Sequence, residues 1–100
     1  MNIDKIEILV NDISFTILPK ENKLIKKDKI TTISDEEISY LISIIRTWKS
    51  NYYNNKYFDG NVFEIKVHSN DKVDIIRGTR NLPENYEEFS KLVRSLYGRR

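Results

Sequence analysis

Apolar and polar residues alternate from Ile6 to Ile17: Ile6, Ile8 and Val10 share one face, and Ile13, Phe15 and Ile17 resume it after Asn11-Asp12. A two-residue turn at Asn11-Asp12 sets Val10 opposite Ile13 and Ile8 opposite Phe15. Both apolar sets then lie on one side, so the segment predicts a β-hairpin with Lys5, Glu7, Ser14 and Thr16 toward water. Pro19 ends the second strand. From Lys20 to Lys29 the chain carries Lys20, Lys23, Lys26, Lys27 and Lys29 against only Glu21 and Asp28, which reads as a basic connector. Leu24-Ile25 and Ile30 to Ile33 offer material for one further strand, although their alternation is poor.

Ser34-Asp35-Glu36-Glu37 matches a capping box, in which a Ser34 hydroxyl and a Glu37 carboxylate exchange hydrogen bonds with each other's amides. A helix starts there. Ile38, Leu41, Ile45, Trp48 and Tyr52 follow at three- and four-residue steps, which puts them on one helical face and extends the predicted helix until it frays at Asn51, Asn54 and Asn55.

Asp59-Gly60 predicts a turn into a second hairpin. Phe63, Ile65 and Val67 alternate with Glu64, Lys66 and His68, and Val73 with Ile75 continues the apolar face on the return strand. That pattern requires an odd loop, Ser69-Asn70-Asp71, with Val67 opposite Val73, Ile65 opposite Ile75 and Lys66 opposite Asp74. Gly78 ends the strand, and Pro83 suits the first turn of a last helix. The apolar stripe of that helix is Tyr86, Phe89, Val93 and Leu96, flanked by Leu92 and Tyr97. Glu84, Glu87 and Glu88 at its start and Arg94, Arg99 and Arg100 toward its end complement the helix dipole. Together these elements predict an α+β fold: an antiparallel sheet of four or five strands, in the order ββ(β)αββα, with two helices on one face.

Composition narrows the class. One hundred residues suit a single domain spanning 1–100, with 39% hydrophobic and 32% charged residues and a formal net charge of only +2. Cysteine is absent, Asp4, Lys5 and Glu7 interrupt the stretch where a signal peptide would be apolar, and the longest apolar run, Ile38 to Ile45, is too short to span a bilayer, so a cytoplasmic protein is expected. The chain holds 15 Ile, 11 Lys and 10 Asn but no Ala or Gln, a bias expected of AU-rich codons and hence of a low-GC bacterium or its phage.

Catalytic chemistry finds little footing. His68 is the only histidine, and the alternation puts it on the polar face beside Lys72, as an exposed imidazole. No metal site and no cofactor are expected. The carboxylate pairs Asp35-Glu36 and Glu87-Glu88 sit in first helical turns, where capping accounts for them. Three glycines, Gly60, Gly78 and Gly98, form no phosphate-cradling loop. A non-enzymatic protein is the expectation.

Three features offer contact surfaces. One is the lysine connector, with Lys23, Lys26 and Lys27 at its centre. Another is Arg77 with Arg80, expected near Arg94, Arg99 and Arg100 once the last helix folds back. The third is the run from Asn51 to Phe58, where Tyr53 and Tyr57 supply rigid amphipathic rings.

The positions Asp59, Gly60, Phe63, Ile65, Gly78, Asn81, Pro83, Tyr86 or Phe89, and Leu92 carry a resemblance over residues 34–97. The chain resembles small α+β proteins of low-GC bacteria and their mobile elements, which often have Trp after Asp-Gly where this chain has Phe63. These are turn and core positions, so the resemblance implies a fold and no active site. In size, codon bias and lack of catalytic motifs the chain is also similar, at the level of class, to phage inhibitors of bacterial defence such as anti-CRISPR proteins. That similarity implies a protein that occludes a protein or nucleoprotein complex of a bacterial host. A nucleic-acid-binding regulator and a toxin-neutralising immunity protein are the alternatives, and a free sheet edge would allow a homodimer.

Overall fold

The first hairpin forms in the expected register in the computed structural model, which describes residues 3–48, 51–52, 63–78 and 83–99. Strands β1 (Lys5–Val10) and β2 (Ile13–Leu18) pair antiparallel, with Ile8 opposite Phe15 and Val10 opposite Ile13. Asn11 takes the left-handed turn conformation at φ 52°, which asparagine tolerates. A short 3-10 turn, Pro19–Glu21, follows β2.

The basic connector is itself a hairpin. Strands β3 (Lys23–Lys26) and β4 (Lys29–Thr32) pair around a two-residue turn, Lys27-Asp28, with Leu24 opposite Thr31 and Ile25 opposite Ile30. Two strands therefore stand where the sequence suggested at most one. Their poor alternation has a cause: only Leu24 of this hairpin is fully buried, so the period-2 signal is nearly absent.

Helix α1 (Asp35–Ile45) starts with the expected capping box. The Glu37 amide donates to Ser34 Oγ at 3.1 Å, and the Ser34 amide donates to Glu37 Oε1 at 3.0 Å. It ends about two turns sooner than the apolar stripe suggested. Thr47 turns its hydroxyl back to the Ile44 carbonyl at 2.9 Å, and the Thr47 and Trp48 amides tighten to i−3 carbonyls. Trp48 still reaches the core from beyond the helix end, while Asn51–Tyr52 forms a short strand, β5, parallel to β7 at Arg77 and Gly78.

Strands β6 (Phe63–Ser69) and β7 (Lys72–Gly78) pair one residue away from the expected register. Asn70 and Asp71 both adopt positive φ, at 48° and 67°, making a two-residue turn of the kind whose twist suits a hairpin. Ser69 thus faces Lys72, Ile65 faces Ile76, and Lys66 faces Ile75 rather than Asp74. The shift by one turns Val73 and Ile75 away from the helices and brings Ile76 against the core in their place. The Asp59-Gly60 turn lies outside the described residues.

Pro83 precedes helix α2 (Tyr86–Tyr97) rather than entering its first turn, and its carbonyl accepts from the Tyr86 amide at 3.1 Å. Among the described residues, six strands pair antiparallel in the order β4-β3-β2-β1-β6-β7, and β5 adds to the outer side of β7. The class is α+β as expected, with more strands. Both helices lie on one face. Ile38, Leu41, Ile42, Ile44 and Ile45 of α1 and Phe89, Val93 and Leu96 of α2 share one core with Ile6, Ile8, Phe15, Ile17, Leu24, Phe63 and Ile65 of the sheet. Trp48 fits among Phe63, Tyr86 and Phe89, with ring centres 4.9 to 6.2 Å from its own. Among the described residues, no helix is long and apolar enough to cross a membrane.

Candidate interaction surface

Alternation along six strands fixes what the opposite face of the sheet displays. One row across it reads Thr32, Lys23, Leu18, Lys5, His68, Val73, and the next reads Ile30, Ile25, Thr16, Glu7, Lys66, Ile75. Leu9, Ser14, Glu64 and Arg77 continue it. Charged residues cluster on β1 and β6, with Ile25 and Ile30 toward one margin, Val73 and Ile75 toward the other, and Leu9 at the end of β1. Ile30 is 62% exposed, Val73 49% and Leu9 40%.

The central charges are knitted together. His68 Nε2 lies 2.7 Å from Glu7 Oε2, and this hydrogen bond is the main reason the Glu7 carboxyl titrates below the usual carboxylate range. The imidazole is therefore partnered by a carboxylate on β1, not left as the free exposed ring expected from its position beside Lys72. Lys66 Nζ and Arg77 Nε each sit 3.8 Å from a Glu64 oxygen. At the sheet's end Lys20 Nζ lies 2.6 Å from Asp4, whose pKa it lowers. Such half-exposed pairs contribute little to stability. What they do is fix a charge pattern.

Of the expected contact residues that are described, Lys23 and Arg77 share the open face but stand far apart on it, and Lys26 points to the other face. Lys23 projects from β3 onto the open face, 3.3 Å from Glu21. Lys27 occupies the exposed β3–β4 turn at φ 52°. Arg77 lies on β7, with β2, β1 and β6 between it and the lysine hairpin, roughly 20 Å away at normal strand spacing. Tyr53, Tyr57 and Arg80 lie outside the described residues.

Lys26 has a different role from the one its sequence suggested. It points to the helix side, where its Nζ donates to the carbonyls of Tyr97 at 2.5 Å and Arg99 at 3.0 Å, and it sits 5.1 Å from the Tyr97 ring centre. It closes the C-terminal end of α2, where unpaired carbonyls and the helix dipole both favour a cation. Arg99 is likewise not beside Arg77. Its guanidinium grips the Glu37 carboxylate with both terminal nitrogens and donates to the Thr32 carbonyl at 3.0 Å. Sequence reasoning missed both contacts because each joins residues more than 60 apart in the chain.

On the helix side a cleft of about 290 Å³ lies between the end of α1 and β6–β7, lined by Ile42, Ile45, Trp48, Val67 and Ile76 with Arg46 and Asp74. It joins no nucleophile to a base. Among the described residues, no three His, Asp or Glu side chains converge as a metal site would require.

The chain matches no protein-family model, no curated protein and no solved structure. The open sheet face is thus read from its own geometry.

Proposed function

We propose that this protein is a small non-enzymatic binding protein that acts by covering a protein or nucleoprotein partner with the open face of its sheet, in the manner of phage inhibitors of bacterial defence. One observation carries the reading: Ile30, Val73 and Leu9 stand exposed on a face that no described helix covers, around a centre of paired charges. Apolar anchors beside ordered polar groups are what a partner surface needs, because the anchors supply desolvation and the fixed charges supply orientation. A partner made of nucleic acid alone is less well served. Lys26 is taken up by helix carbonyls, and on the open face Lys23, Lys66 and Arg77 each have a carboxylate beside them, so that face presents paired charges rather than a run of bare cations for phosphates.

The test is capture from lysate of a low-GC bacterium on immobilised protein, followed by competition against the captured partner's own activity. Capture of a discrete complex whose activity falls, with both effects lost in the Leu9→Asp, Val73→Asp double variant of unchanged circular dichroism, supports the proposal. Capture of nothing, or equal inhibition by the double variant, overturns it.

A further inference from the structure

Among the described residues, strand β4 ends the sheet, and its backbone pairing shows which of its groups face outward. The Ile33 amide donates to the Asn22 carbonyl at 3.0 Å, so the pair 22/33 is hydrogen-bonded. Alternation along an antiparallel ladder then makes Leu24/Thr31 and Lys26/Lys29 hydrogen-bonded pairs as well, and turns the N–H and C=O of Ile30 and Thr32 away from β3. The Thr32 carbonyl already receives Arg99 from that side. Among the described residues, nothing bonds the Ile30 amide or carbonyl from outside. Sheet edges of this kind are usually blunted; here Arg99 covers one end, and the other stays open beneath the most exposed apolar side chain described.

The chemistry around that opening is one-sided. Lys27 and Lys29 flank it with Asp28 as the only acid of the turn, and a depression of about 210 Å³ beside it is lined by Lys26, Lys27, Asp28, Lys29 and Tyr97. A second copy joined through the same edge would bring two such lysine hairpins together, which like-charge repulsion disfavours. We infer that the Ile30 edge of β4 accepts an extended acidic segment of a protein partner as an added strand. The segment's residue opposite Ile30 exchanges both backbone hydrogen bonds and lays an apolar side chain beside Ile30 and Ile25 on the open face. Its two neighbours point to the helix side, where a carboxylate meets Lys29 and Lys27. Strand addition of this type takes affinity from the backbone and specificity from alternate side chains. This inference rests on the proposed protein-binding role and names the partner chemistry at one margin of the same face.

The probe is a fluorescein-labelled peptide, acetyl-Glu-Val-Glu-Val-Glu-amide, titrated by anisotropy against the whole protein. The expected result is saturable binding that weakens with salt. Ile30→Pro removes an outward donor and leaves the β3 ladder intact, so it should weaken binding about tenfold or more, while Val73→Pro on the far edge leaves it unchanged. The same peptide N-methylated at both valines tests the backbone bonds without altering the protein, and should fail to bind. Equal binding by the N-methylated peptide or by Ile30→Pro would overturn the inference. So would no binding of the parent peptide, equal binding of a single-stranded oligonucleotide of matched charge, or a sedimentation-detected dimer abolished by Ile30→Pro. If the lysate partner is lost with the Leu9, Val73 double variant but kept by Ile30→Pro, the edge assignment fails and the broader reading stands. Peptide binding without any lysate partner has the opposite meaning.

Discussion

Arg99 and Glu37 form a two-pronged ion pair, with Nη1 2.9 Å from Oε1, that ties the end of α2 to the start of α1. Glu37 is also the acidic member of the capping box, so one carboxylate serves the Ser34 amide and the guanidinium together. The Arg99 hydrogen bond is the largest cause that draws the Glu37 pKa from 4.5 down to about 2.

That shift sets an acid limb for stability. The folded-state pKa lies below the unfolded one, so the contribution is fully present above pH 4.5 and is lost as pH falls toward about 2. Both side chains are nearly a third exposed, so the effect is on the order of 1–2 kcal/mol after screening. Urea denaturation at stepped pH should show this limb in the wild type and a flattened one in Glu37→Gln. An unchanged limb in the variant would assign it to other carboxylates.

Lys26→Met keeps the aliphatic stem over Tyr97 and removes the ammonium from the α2 carbonyls. A loss of about 1–2 kcal/mol in urea denaturation is expected. Lys27→Asn, in the exposed turn at a left-handed position asparagine tolerates, should change stability by no more than about 0.5 kcal/mol. Equal effects of the two would place Lys26 in solvent rather than at the helix end.

Thr31 Oγ1 is buried and has no hydrogen-bond partner among the described residues. Thr31→Val keeps the β-branched shape that suits a strand and removes the stranded hydroxyl. It should raise stability by about 1 kcal/mol, read as a higher urea midpoint at unchanged slope.

The Asn70-Asp71 turn has both residues at positive φ, and glycine is the best second residue of such a turn. Asp71→Gly is expected to raise stability by about 0.5–1 kcal/mol. Thermal melting checks this: a midpoint that stays the same or falls would mean that Asp71 is not held at positive φ.

Local signals read from the sequence hold where one short-range cause sets the outcome. The capping box at Ser34 works within four residues, and the Asn11-Asp12 hairpin has a single turn that keeps its apolar faces together. The β6–β7 register escaped that logic because Ile75 and Ile76 are adjacent. Either can serve as the core-facing residue, and the choice went to the turn that Asn70 and Asp71 could close. The lysine hairpin was illegible for a related reason: Ile25 and Ile30 stand on the open face, so hydrophobicity does not mark the inside there.

Of the candidate surface, the sequence singled out Lys23, Lys27 and Arg77 as charged positions but could not say what each one faces. Lys26 is committed to a helix end, and Arg99 to Glu37 and Thr32 rather than to the neighbourhood of Arg77, only because α2 folds back across the sheet and brings its last carbonyls to β3. By itself, then, the sequence determined two hairpins, two amphipathic helices and their shared apolar side, because turn chemistry and residue period act along the chain. Tertiary structure alone decided the strand order, the pairing of Glu7 with His68, and which lysine closes a helix and which faces water. Those depend on contacts between segments up to 73 residues apart, and the local pattern at either end carries no trace of its partner.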